Sequence, residues 1–121
     1  MIHEPAIKRV YDPPAKSDGM RILVDRLWPR GLTKEKAKVD LWLKDISPSN
    51  ALRKEFHGHG DDWEEFRKAY FAELKSDTAQ AAAQVLFEHL RAGPVTLLYG
   101  ARDEQHNNAV ALLAWIKRHA K

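Results

Sequence analysis

The sequence predicts a small three-layer α/β fold, with a mainly parallel sheet and helices on both faces. Three observations carry that expectation. Short aliphatic runs, too brief for helices, occur early at Ile22-Leu23-Val24 and return near the end at Val95 to Tyr99. Between them lie three segments with apolar residues at helical spacing, and a fourth such segment closes the chain. A strand that follows a long helical crossover pairs most simply in parallel with the earlier strands.

The first strand is expected over Ala6 to Tyr11, stopped by Asp12-Pro13-Pro14. A polar loop, Ala15 to Gly19, leads into a second strand, Met20 to Leu27. Pro29 prevents continuation of that strand and Gly31 permits an unusual backbone angle, so the segment between them turns sharply. LTKEKA then suits a single helical turn. In Val39 to Ile46, Val39, Leu41 and Leu43 alternate with Asp40, Trp42 and Lys44, which predicts a third strand.

Helix ends are well signalled in the middle of the chain. Ser47-Pro48 offers an N-cap followed by proline, with Leu52 and Phe56 as the apolar face. Asp61 and Asp62 each precede a glutamate by three residues, the pattern of a capping box, and Trp63, Phe66, Tyr70 and Leu74 fall on one stripe, whose aromatic part the periodicity assigns to core packing and not to a stacking platform for bases. Asp77 can cap a helix whose Ala82, Val85, Leu86 and Leu90 face one way, ended by Gly93 and Pro94. After the strand Val95 to Tyr99, a final helix from about His106 to Ala120 buries Ala109, Leu112, Leu113 and Ile116. With no internal repeat and no linker, residues 1–121 make one domain.

Composition narrows the function classes. There is no cysteine, which removes disulfides, thiolate zinc sites and cysteine nucleophiles together. No apolar run approaches the ~20 residues needed to cross a bilayer, and the first residues lack the apolar core of a secretory signal, so a cytoplasmic protein with no membrane partner is expected. The formal net charge of +3 is a mild basic bias, which favours anionic ligands of any size but argues only weakly for nucleic acid.

Two loops carry the residues suited to chemistry. The second strand and its exit hold Arg21, Asp25, Arg26, Trp28 and Arg30. Ligands in open α/β sheets bind beyond the carboxyl ends of strands, and guanidinium groups there suit phosphate or carboxylate. Arg26 and Arg30 would clamp an anion while Asp25 orients it or acts as a base. The competing possibility is a structural ion pair of Asp25 with one arginine, and in either role Asp25 is expected to accept a hydrogen bond from an arginine or from a backbone N–H of its own loop. The last strand repeats the pattern, with Tyr99, Arg102, Asp103, His106, Asn107 and Asn108. His106 is the general acid/base candidate, and the free N–H groups at the following helix start favour an anion. Alternatively Asp103 or Asn107 caps that helix and His106 merely faces solvent. If the two strands are neighbours, their exit loops share a cleft.

Other features are weaker. His57-Gly58-His59-Gly60 with Asp61 and Asp62 groups ligand types without a metal-defining spacing, so no metal is assigned, and no pattern names a cofactor. Lys34, Lys36 and Lys38 make a small basic segment. Three functions remain open. The first is binding, with or without turnover, of a small anionic ligand such as a nucleotide or phosphorylated metabolite. The second is a nucleic-acid-associated or regulatory module using Arg30 to Lys38, and the third is a protein-interaction domain anchored by Trp28 and Trp42.

Six stretches have a familiar wording: RVYDPP, DGMRILVDRLWPRG, KDISPS, LRKEF, WEEFRKAYFAEL and VTLLYGARDEQHNNA. Together they span nearly the whole chain, and they resemble the YeaO-like family of small bacterial proteins, grouped as domain of unknown function 488. The resemblance implies that the two exit loops lie together. A more distant branch of that family pairs an aspartate and arginines after the second strand with a Cys-bearing strand and a Cys-His-Arg motif after the last. Asp25, Arg26 and Arg30 would answer to the first group, and Tyr99 with His106-Asn107-Asn108 occupy the region of the second. Without cysteine, a thiol role of that branch cannot operate here.

Overall fold

A computed structural model describes residues 2–56 and 62–119. Among these residues the chain forms a four-stranded, all-parallel sheet, and the predicted α/β class is borne out. In chain order the strands are β1 (Ala6–Arg9), β2 (Met20–Leu23), β3 (Leu41–Trp42) and β4 (Val95–Tyr99). The helices are α1 (Lys34–Ala37), α2 (Asn50–Phe56), α3 (Trp63–Glu73), α4 (Asp77–Ala92) and α5 (Asn108–His119). The spatial order is β1-β4-β2-β3, so the last strand inserts beside β2, with Met20 opposite Val95 and Leu23 opposite Leu98.

Strand alternation divides the apolar residues between two cores of unequal size. Ile22 and Leu97 face one way, into a core with Ile46, Leu52, Tyr70, Leu86, Leu90, Leu112 and Ile116, to which α2, α3, α4 and α5 all contribute. Leu23 and Leu98 face the other way, into a cluster with Val10 and Ala37, flanked by Trp28, Leu32, Val39 and Trp42. Helices therefore cover the two faces unevenly: among the described residues, the second face has the single turn α1 and the loop that carries it. β4 is buried at every position, as expected of a central strand covered on both sides. Gly19 enters β2 at φ +65°, and a Cβ there would collide with the Pro94 carbonyl, to which the Met20 N–H donates at 3.0 Å.

Several element boundaries differ from the sequence expectation. The third strand is two residues long, not the predicted Val39 to Ile46. Its ladder with β2 ends after the Leu43 N–H reaches the Leu23 carbonyl (2.9 Å), because β2 itself stops there rather than at Leu27. Lys44–Ile46 instead close a 3₁₀ turn, and the Ser47 hydroxyl donates to the Lys44 carbonyl. The N-cap of α2 is consequently Ser49, whose Oγ accepts from the Leu52 N–H at 3.1 Å. The Ser49 N–H and hydroxyl both donate to the Glu73 carboxylate, tying α2 to α3. Ser76, not Asp77, caps α4 by accepting from the Ala79 N–H. Val85 is 38% exposed rather than facing the core with Leu86. Asp62 occupies the cap position of α3 without a side-chain cap bond, and the segment His57 to Asp61 lies outside the described residues.

Tyr70 of α3 is fully buried and donates its hydroxyl to the Ile46 carbonyl at 2.6 Å, joining the helical layer to the turn after β3. Burial drives its pKa far upward, so the hydroxyl stays a donor. Tyr70→Phe leaves that carbonyl without its partner, and urea unfolding should show a loss of about 1–2 kcal/mol.

Candidate functional site

β2 and β4 are adjacent and parallel, so both exit loops emerge at the same edge of the sheet. Asp25 joins them. Its Oδ2 accepts from the Gly100 N–H at 2.8 Å and its Oδ1 from the Asn108 side-chain amide at 2.9 Å, while the same Asn108 nitrogen reaches the Val24 carbonyl. A Cβ on residue 100 would stand 3.1 Å from Asp25 Oδ2, so glycine is what lets the backbone approach the carboxylate this closely. These partners belong to the neighbouring loop and to α5, not to the aspartate's own loop as expected. Burial raises the Asp25 carboxyl above its ordinary value, against the pull of the Asn108 and Gly100 hydrogen bonds and the Arg53 charge.

Beside this tie opens a cleft of about 820 Å³, bordered by Asp25, Arg26, Trp28, Arg30, Arg102, His106 and Asn107 among the expected residues. Arg26 is anchored, donating to the Ser47 carbonyl at 3.0 Å and to the Pro48 carbonyl at 3.3 Å. Trp28 donates its indole N–H to the Leu32 carbonyl and packs edge-on against Trp42, whose own indole N–H reaches the Asp25 carbonyl. Both tryptophans are half-buried and bonded inward, which disfavours their use as protruding anchors for a partner. Arg30 and Arg102 are exposed, and their guanidiniums donate to no protein acceptor found among the described residues. The Arg30 backbone carbonyl is held by the Tyr11 hydroxyl at 2.8 Å.

Across the cleft, Asp103 Oδ1 accepts from the Gln105 and His106 N–H groups, which hold its carboxyl below the ordinary range. Its other oxygen lies 3.4 Å from His106 Nδ1. The imidazole also rests against Trp63, with ring centroids 5.0 Å apart.

Three of the expected roles need correction. Arg21 lies near the start of β2, at the opposite end of the strand from the cleft, and its guanidinium is consumed by Asp18 and the Ala37 and Lys38 carbonyls. Tyr99 is 3% exposed and points with Leu97 into the helical core, because strand alternation directs it there; burial raises its hydroxyl pKa. Asn107 borders the cleft, but its amide caps α5: Oδ1 accepts from the Val110 N–H and Nδ2 donates to the Asp103 carbonyl. The last helix accordingly begins at Asn108, two residues later than expected.

Asp103 and Asn108 of the second loop border the cleft too, and it also recruits Arg53, Phe56, Trp63 and Phe66. Trp63 and Phe66 were expected in the core by their periodicity, and they are half-buried between core and cleft. Arg53 lies one turn before Phe56 on α2 and borders the cleft with it, an exposed position that carries no signal in one sequence.

The family model described as the inactive DUF488-N3 subclade matches residues 4–121. This chain belongs to that family. It is 46% identical over 110 residues to "Uncharacterized protein YeaO" of Escherichia coli (strain K12), covering 91% of this chain and 94% of that protein. It is 37% identical over 98 residues to "Uncharacterized protein Mb3100c" of Mycobacterium bovis and, equally, to "Uncharacterized protein Rv3073c" of Mycobacterium tuberculosis, covering 79% of this chain and 83% of each. No solved structure matches. The YeaO-like resemblance of the six stretches is thereby confirmed. In this DUF488-N3 chain, no helix among the described residues is long and apolar enough to cross a membrane. Among the described residues its cleft sets four arginines (Arg26, Arg30, Arg53, Arg102) against two aspartates (Asp25, Asp103).

Proposed function

We propose that this domain binds a small anionic ligand in the cleft between the β2 and β4 exit loops and does not turn it over. The observation that carries this is the pair Arg30 and Arg102: two guanidiniums, one from each loop, border the cleft without a protein acceptor among the described residues. Arginine forks suit phosphate and carboxylate oxygens, and a cleft of this volume falls in the range of about 300–1,000 Å³ typical of small-molecule sites. The Asp25 carboxylate is engaged, since both of its oxygens accept hydrogen bonds from the scaffold. The family description as an inactive subclade agrees with binding alone.

The lysine segment gives the nucleic-acid alternative less support. Lys34, Lys36 and Lys38 stand on or beside α1, and none of them borders the cleft.

Inorganic phosphate is the direct probe. It should stabilise the fold with the logarithm of its concentration, by about 2.7 kcal/mol at 100 times its Kd, read as a rise in the thermal midpoint. Arg30→Met and Arg102→Met should each weaken phosphate about tenfold, the loss of one charge-assisted contact, while the urea midpoint stays within about 0.5 kcal/mol of wild type. Unchanged phosphate affinity in the double variant would remove the basis of the proposal.

A further inference from the structure

Resting on the anion-binding reading above, we infer that the ligand is a mononucleotide, a planar base carrying a phosphate, rather than an aliphatic phosphorylated metabolite. One side of the cleft is a continuous run of rings contributed by three separate segments. Phe56 at the end of α2 lies 5.9 Å from Phe66 of α3, and Phe66 stacks on Trp63 at 5.7 Å and 16°. Trp63 in turn lies 5.0 Å from the His106 imidazole of the β4–α5 loop. All four border the same cleft as the exposed Arg30 and Arg102. None is sealed in the core: Phe56, Trp63 and Phe66 are half-buried, and the His106 side chain is 43% exposed.

Such a surface discriminates between the two kinds of phosphate ester by elementary solvation. An aliphatic sugar phosphate would set hydroxyl groups against carbon rings that offer few hydrogen-bond partners, and each unpaired hydroxyl is costly to desolvate. A nucleobase is polar at its edge and apolar on its face, so the face can lie against rings while the edge stays toward water or backbone. Ring stacking tolerates any base, so the aromatic wall selects the class rather than one member. The phosphate is then left to the arginines on the two loops.

The test is calorimetric titration of the full chain with AMP, GMP, CMP and UMP, with ribose 5-phosphate and adenosine as comparators. At least one mononucleotide should bind about tenfold more tightly than ribose 5-phosphate, as one stacked base provides. Trp63→Leu should abolish that preference and leave ribose 5-phosphate affinity within about twofold, since the phosphate contacts are untouched. His106→Ala, at an exposed ring, serves as the second variant and should reduce the same preference. The wild-type comparison alone keeps the inference open to refutation if the Trp63 variant does not fold. Equal binding of ribose 5-phosphate and all four mononucleotides would overturn the base-stacking inference and leave the anion site standing. Failure of every phosphate ester to bind would overturn both, whereas adenosine binding as tightly as AMP would overturn the anion site, and the mononucleotide assignment with it, while leaving the stacking surface.

Discussion

Replacing Arg21 by methionine should cost about 3–5 kcal/mol of stability, the range expected when one partner of a buried ion pair is removed. Arg21 is 4% exposed and Asp18 8%, and nothing about the guanidinium is idle. It pairs with Asp18, donates Nη2 to the Ala37 carbonyl at 2.8 Å and donates Nε to the Lys38 carbonyl at 3.0 Å. Lys38 adopts φ 47° at the end of α1, a left-handed conformation for a residue with a side chain, and the turn it makes lies where both carbonyls meet Arg21. Methionine preserves most of the stem's packing, so the measured loss reports the polar contacts. Urea unfolding of the two proteins measures it, and a loss under about 1 kcal/mol would show that the ion pair does not hold α1 to the sheet.

Asp25→Ala should cost about 2–4 kcal/mol, because it leaves the Gly100 N–H and the Asn108 amide without their acceptor at a half-buried position. The same substitution separates the two exit loops, so phosphate affinity should fall along with stability. A variant as stable as wild type would mean that the loops are held by something other than this carboxylate.

The two aspartates give opposite pH dependences. Burial raises Asp18, but hydrogen bonds from the Ala15 N–H, Lys8 and Arg21 outweigh it and leave the carboxyl below its ordinary 3.8. Its stabilising contribution is therefore present above pH 3.8 and is lost as pH falls through its lower folded value. For Asp25, raised above 3.8 by burial, the folded state takes up the proton first, so acidification between its folded value and 3.8 adds stability. Relative to Asp25→Ala, wild type should gain stability over that upper window, and relative to Arg21→Met it should lose stability more steeply below it. Urea midpoints measured from pH 7 to 3 resolve both slopes.

The part of the site built by strands was legible, because Ile22-Leu23-Val24 and Val95 to Tyr99 could only be buried strands and their exits had to meet if they paired. Asp25, Arg26 and Arg30 followed from position alone. Arg21 was misassigned because two of its three partners, the Ala37 and Lys38 carbonyls, are brought to it by a tertiary contact that no local pattern encodes, and Asp18 three residues before it does not by itself mark a buried pair. Tyr99 was misassigned by one step of alternation: it ends a strand buried on both sides, where hydrophobicity does not reveal which face a residue takes. Val39 to Ile46 alternates well enough for a long strand, yet a strand extends only as far as its partner, and β2 is short. The caps were displaced by one or two residues where Ser47-Pro48-Ser49 and Ser76-Asp77 offered competing side chains. Arg53 and the aromatic wall come from helices whose stripes also serve the core, so their second exposure became visible only in three dimensions.

The unequal cores imply two cooperative units of different strength. Four buried residues, Val10, Leu23, Ala37 and Leu98, anchor the layer that contains Trp28, Leu32 and α1, against a far larger set beneath α2 to α5. That thin layer carries Arg30, and the buried Arg21 network is its main fastening to the sheet. Its amide protons should therefore exchange through a local opening well below the free energy of global unfolding, while those of β4 exchange only with the whole molecule. Exchange of the two layers at one common rate would show instead that the Asp25 tie to Gly100 and Asn108 makes both arms of the cleft open together.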